Sequence, residues 1–252
     1  MDKQIVFAVS ARITSYISAL PSKGITMRLG VLFSGGKDST FALHKAAEKA
    51  EVACLITLVS ENKESYMFHT PNIDITTLQA EALNFPIIQQ ATKGKPEAEL
   101  KDLEAAIAQA INDFNIAGVM TGAVESVYQA ARIQQICNRL GVWCVNPLWK
   151  RNQKALLEEV VAAGYKTVIS GVFAYPLDKT WLGQQIDSEM IWQLVSLSEE
   201  YGLSPSGEGG EIETTVLDAP LFKKKIEVID ATLQAQGNSG VFRIKQARLT
   251  EK

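Results

Sequence analysis

The chain has 252 residues, long enough for one large domain or two small ones around a substantial core. Hydrophobic residues make up 46% of it and charged residues 21%. No apolar stretch reaches the ~20 residues that a bilayer span requires, so a soluble globular protein with no membrane partner is expected. The 25 basic and 28 acidic residues leave a net charge of -3, without the general positive field that draws proteins onto polynucleotides, and no nucleic-acid partner is expected.

The first 26 residues, MDKQIVFAVSARITSYISALPSKGIT, have a moderately apolar middle but no strongly basic start, which makes a poor secretion signal. Two readings of this extension stay open: translation starts at Met27, or the segment is a loosely packed terminus. From residue 28 short apolar runs alternate with amphipathic stretches. RLGVLF predicts a strand, STFALHKAAEKA a helix, VACLITLVS a strand and TTLQAEALN a helix. FPIIQQ, IAGVMTGAV and VWCVNPLW continue as strands, with PEAELKDLEAAIAQAIND and QAARIQQICNRLG as the helices between them. Regular alternation of this kind predicts an α/β fold, a doubly wound parallel sheet covered by helices, over residues 27–147.

Past Pro147 the alternation loosens, and residues 148–252 read as a smaller α+β domain. RNQKALLEEVVAAGYK is a predicted helix and TVISGVFAY a strand, while DKTWLGQQID and SEMIWQLVSLSEEYG are predicted as two more helical pieces. LSPSGEGGE is turn-forming by its Ser, Pro and Gly content, and TTVLDAPLF, KKIEVIDATLQ and FRIKQARLT read as closing strands. Cys54, Cys137 and Cys144 include no CxxC pair, and their odd number argues against a disulfide framework and for a reducing cytoplasm.

The chemistry concentrates at SGGKDS, residues 34–39, between the first predicted strand and helix. In a parallel sheet, ligands gather at the carboxyl ends of the strands. Gly35 and Gly36 carry no Cβ, so the backbone can turn tightly and its N–H groups can approach an anion. The positive end of the following helix adds to that field. The loop therefore reads as a phosphate site, and the alternative is an ordinary strand-to-helix turn with Ser39 as a capping residue.

This string resembles SGGxDS, the pyrophosphate-binding loop of the N-type ATP pyrophosphatases, which implies an adenine nucleotide alpha hydrolase-like, Rossmann-like domain that cleaves ATP between its α- and β-phosphates. On that resemblance Ser34, Gly35, Gly36 and Ser39 supply donors to the β,γ-pyrophosphate. Lys37 supplies a positive charge to it, and Asp38 supplies a carboxylate for Mg²⁺. Lys37 and Asp38 are then the catalytic pair. Four further blocks, SYMFHTPNIDITTLQAEALNFPII, TGAVESVYQAARIQQICNRLG, NPLWKRNQKALLEEVVAAGY and GEGGEIETTVLDAPLF, are similar to those of the diphthine–ammonia ligase family in its single-chain archaeal-type form.

Membership would imply ATP-dependent amidation, through an acyl-adenylate, of the diphthine carboxylate on translation elongation factor 2. Ammonia would be the nitrogen source, and AMP and pyrophosphate would be released. Glu208, Gly209, Gly210 and Glu211 would then face the modified protein, with a polar hairpin turn as the alternative. Diphthine carries a trimethylammonium group, and aromatic faces and carboxylates hold such cations. Trp149, Trp181, Trp192 and Tyr201 lie in the same half of the chain as that turn, and core packing is their other reading. No glutaminase-like nucleophile is visible, so ammonia would arrive free or from another protein.

His69 and Gly122 follow predicted strands at the ligand edge of the sheet, as does Ser126, and all three are expected at the nucleotide. Tyr128 and Arg132 sit four apart on one helix face. Tyr128 is expected near the substrate, and Arg132 at phosphate or as an ordinary surface charge. Two rival readings are carried forward. One is a paralogue that adenylates a small carboxylate or a tRNA base. The other is a nucleotide-binding module without catalysis. The oligomeric state is open.

Overall fold

The computed structural model describes residues 27–61, 71–95 and 97–252. The extension 1–26, with both of its readings, and the expected nucleotide contact His69 lie outside the described residues. In chain order the first elements are β1 (Arg28–Leu32), α1 (Lys37–Ala47), β2 (Glu51–Ser60), α2 (Thr76–Leu83), β3 (Ile87–Thr92), α3 (Ala98–Phe114), β4 (Gly118–Met120), α4 (Val127–Leu140) and β5 (Trp143–Val145). They are followed by α5 (Gln153–Ala162), β6 (Lys166–Val172), α6 (Ser188–Tyr201), β7 (Ile212–Asp218), β8 (Lys225–Gln236) and β9 (Ser239–Thr250).

Two compact units divide these residues. The first holds described residues of 27–33, 38–61 and 85–150, and the second holds 34–37, 71–84 and 151–252. In the first unit five parallel strands run in the order β3-β2-β1-β4-β5. The chain winds outward from β1 to β3, then restarts on the other side of β1 with β4, which is the doubly wound topology expected of the α/β pattern. β2 is apolar along its length because both of its faces are covered: Ala53, Cys54, Leu55, Ile56, Thr57 and Leu58 are all buried. Along α3, Leu103, Ala106, Ile107 and Ala110 form one buried stripe at helical spacing, packed into the core that contains Cys54, Ile56 and Val119. Caps bound α4: Ser126 accepts a hydrogen bond from the Gln129 N–H at its start, and Gly141, with φ of 70°, turns the chain at its end.

The second unit is built on a four-stranded antiparallel sheet in the order β7-β6-β9-β8. Leu157 of α5 with Ile191 and Leu194 of α6 packs with Ile169 and Val172 of β6 to form its core. DKTWLGQQID is not helical, contrary to the sequence expectation. Asp178 Oδ1 instead accepts from the N–H and hydroxyl of Thr180, forming a local turn. Gly183 then takes a positive φ of 78°, and the chain runs back beside β6, with Ile169 N–H bonded to Gln184 O and Gly183 N–H to Ile169 O. Local side-chain and backbone pairing thus wins over helical propensity here. No helix among the described residues is long and apolar enough to cross a membrane.

Candidate functional site

The division between the units falls inside the SGGKDS loop, between Lys37 and Asp38. The glycine-bearing half packs within the second unit. Gly35 has a positive φ of 78°, a conformation that favours a residue without Cβ. Its carbonyl accepts from Val216 N–H of β7 at 3.0 Å and from Gln79 Nε2 of α2 at 2.9 Å. Gln79 is fully buried and donates also to Val216 O at 2.7 Å, so one amide bridges the loop and the strand. A Cβ on Gly35 would collide with the Gln79 side chain. On Gly36 it would lie 3.1 Å from Thr214 O and 3.3 Å from Thr214 Oγ1.

The next residue is fixed twice. Lys37 N–H donates to Thr214 Oγ1 at 3.1 Å, and its Nζ donates to Ser206 O at 2.5 Å, with only 3% of the residue exposed. Ser206 belongs to the turn that carries Glu208, Gly209, Gly210 and Glu211, so two sequence-predicted groups meet through Lys37. Within that turn, Glu211 accepts from Ser204 N–H at 3.1 Å and from Gly209 N–H at 2.9 Å. Glu208 N–H donates to Ser204 Oγ at 2.9 Å. The Glu211 carboxylate thus closes its own turn, in the connection from α6 to β7. Gly207 and Gly210 supply the positive φ values of 80° and 85° that the reversal needs.

Asp38 and Ser39 open α1 in the first unit, at the carboxyl end of β1 where the winding reverses. Gly122, following β4, lies against them: a Cβ there would be 2.7 Å from Asp38 C and from Ser39 N. Ser126 caps α4. The Arg132 guanidinium lies 3.4 Å from the centroid of the Tyr128 ring, a cation–π pair on one helix face.

The aromatics read from the sequence are placed differently. Trp149 belongs to the first unit, while Trp181 packs on the core of the second. Trp192 and Tyr201 are two and a half turns apart on α6 (about 3.6 residues per turn) and so on opposite faces. Trp192 is 70% exposed, and Tyr201 stacks edge-on against Tyr175 at 5.3 Å. All three cysteines are buried and unpaired by disulfide. Burial pushes the Cys54 thiol up to about 12, and a hydrogen bond with Cys144 together with burial pushes Cys137 up. No group of three or more His, Cys, Asp or Glu side chains able to hold a metal occurs among the described residues.

Sequence comparison decides the family. The diphthamide synthase N-terminal domain matches residues 27–144, and the diphthamide synthase C-terminal domain matches residues 152–250. The chain belongs to the diphthamide synthase family. A Mus musculus protein named diphthine–ammonia ligase is 34% identical over 252 residues, covering 90% of this chain and 94% of its own length. A Danio rerio protein of the same name is 36% identical over 226 residues, covering 82% of this chain and 88% of its own. The Schizosaccharomyces pombe diphthine–ammonia ligase is 33% identical, and this chain spans 39% of its length. Gln79, Gln153, Ser206 and Thr214 carry the loop geometry, and the sequence alone does not point to them. They are polar residues far from the loop in sequence, and although they fall in the quoted blocks and turn, no residue pattern there marks them as its partners.

Proposed function

We propose that this protein is an ATP-dependent amide ligase that converts the diphthine carboxylate of translation elongation factor 2 to its amide with ammonia. The observation that carries the reading is the direct bond between Lys37 of the SGGKDS loop and Ser206 of the Glu208–Glu211 turn, in a chain of the diphthamide synthase family. It ties the segment expected to hold ATP to the segment expected to face the modified protein. The loop has the form an anion needs: Gly35 in a positive-φ turn, and Gly36 and Gly122 so closely approached that a side chain at either would be crowded.

The chemistry follows from the weakness of a carboxylate as an acyl donor. A carboxylate oxygen attacks the α-phosphorus of ATP, the bond to the β-phosphate breaks, and pyrophosphate leaves. Ammonia then attacks the carbonyl carbon, loses a proton to solvent or base, and AMP departs with its electron pair. Ser34, Gly35, Gly36, Lys37 and Ser39 bind the departing pyrophosphate. Asp38 would hold Mg²⁺, which when bound neutralises charge on the phosphates. Gly122 admits the first turn of α1, Ser126 and Arg132 are assigned to the nucleotide, and Tyr128, Glu208, Gly209, Gly210 and Glu211 to the protein substrate. Buried thiols held protonated suit a cytoplasmic protein and disfavour the rival in which a cysteine carries sulfur to a tRNA base.

The test is formation of AMP and pyrophosphate from Mg-ATP and ammonium, with and without elongation factor 2 carrying diphthine. Formation only with the modified factor, and a loss of about one mass unit from it as OH becomes NH₂, is the expected result. AMP without that factor would point to another carboxylate or a tRNA. No AMP at all would leave a binding module. Cys137→Ala and Cys144→Ala are expected to retain pyrophosphate release, and its loss in both would revive the sulfur-carrier rival.

A further inference from the structure

Lys37 is almost fully buried, and its ammonium must be matched by acceptors held in place. One acceptor is the Ser206 carbonyl, and a peptide carbonyl in a turn aims its lone pairs only as well as the turn is fixed. What fixes this one is a side chain from another element. Gln153 Oε1 accepts from Ser206 N–H at 3.1 Å, from Ser206 Oγ at 2.8 Å and from Ser204 Oγ at 2.6 Å. Both donors of Ser206 therefore converge on a single oxygen, which sets the orientation of the residue whose carbonyl receives Lys37. Gln153 is itself well placed to act as a fixed point. It is the first residue of α5, where Asn152 caps the helix by accepting from Ala155 N–H at 3.0 Å, and Arg151 pairs with Glu159 at 2.5 Å across the first two turns.

We infer that Gln153 is a positioning residue for Lys37, acting through Ser206 to hold the ammonium in register with the phosphate loop. This rests on reading the loop as the ATP site. One N–H of the Lys37 ammonium goes to Ser206, and the direction of that bond orients the remaining donors. With the side chain of Gln153 removed, the 204–206 turn loses three hydrogen bonds at one point and the lysine loses its fixed acceptor.

Two measurements on the full chain test the inference. The first is the rate of Lys37 acylation by an amine-reactive ester, read by mass spectrometry against the other lysines. The second is the affinity for Mg-ATP by calorimetric titration. Gln153→Leu is expected to raise Lys37 labelling selectively and to weaken Mg-ATP about tenfold, the scale of one hydrogen bond to a charged group. Gln153→Asn, which keeps the amide but falls one bond short, takes its place if the leucine variant does not fold. Unchanged Lys37 labelling, or raised labelling with unchanged Mg-ATP affinity, would overturn the inference. Wild-type protein that binds no Mg-ATP would sink the ATP-site reading instead, and selective labelling would still report the link from Gln153 to Lys37.

Discussion

Two turns of the second unit each contain adjacent glycines, Gly35–Gly36 and Gly209–Gly210, and they need them for different reasons. Gly35 combines a positive φ with a crowded surrounding, since the buried Gln79 side chain occupies the space a Cβ would take, and Thr214 crowds Gly36. Gly210 also has a positive φ, yet nothing lies within 4 Å of where its Cβ would be. Packing around the loop enforces Gly35 and Gly36, whereas in the second turn the path of the chain alone requires Gly210, and Gly209 is crowded by the Glu211 carboxylate that closes the turn, 2.5 Å from where its Cβ would lie.

The largest effect is therefore expected from Gly35→Ala. Left-handed backbone and overpacking against a buried amide act together, and a loss of about 3 kcal/mol in unfolding free energy is expected, with Mg-ATP binding lost. Denaturant unfolding and calorimetry measure the two. Adding Gln79→Ala opens the space, so the double variant should be less destabilised than the sum of the singles. Strict additivity would show that packing against Gln79 is not what excludes a side chain there. Gly36→Ala meets a backbone oxygen rather than a flexible end. Displacement of the loop by a fraction of an ångström is expected to lower AMP formation about 100-fold while leaving the melting transition close to wild type.

These contrasts also show what the sequence made legible. The strands of the first sheet are readable because burial on both faces leaves continuous apolar runs such as VACLITLVS, and α3 because its buried residues recur at helical spacing. The loop is readable because its glycines, lysine and aspartate are consecutive. Gln79, Gln153, Ser206 and Thr214 are not, because their bonds to the loop and to each other span from 44 to 177 residues. A buried glutamine on α2 carries no signal that its partner is a glycine carbonyl on another element. DKTWLGQQID misleads for a related reason: its turn is decided by Asp178 with Thr180 and by pairing to β6, neither of which disturbs a helical pattern of apolar residues. Likewise, the proximity of Trp192 and Tyr201 in sequence hides their opposite placement on α6.

Within the second turn, Glu211→Gln separates a structural carboxylate from a substrate-binding one. Its two oxygens accept from Ser204 and Gly209 N–H groups. An amide can accept with only one of its ends, so one of those N–H groups would face an NH₂. A destabilisation of about 1–2 kcal/mol is expected. Because this carboxylate closes the turn, affinity for the modified elongation factor should fall with the stability of the turn and not beyond it. A much larger loss of affinity at unchanged stability would assign Glu211 to the substrate directly.

The smallest effect is expected from Gly210→Ala, about 1 kcal/mol, because only the left-handed backbone opposes the new methyl group. Asparagine tolerates that conformation better than alanine does, so Gly210→Asn should recover part of the loss. Gly35→Asn should recover none, since any Cβ there meets Gln79 whatever its backbone preference. Thermal unfolding of these four variants isolates the two causes. If asparagine rescued both positions, conformation alone would govern both turns. If it rescued neither, the turn around Gly210 would be closed against side chains as the loop around Gly35 is.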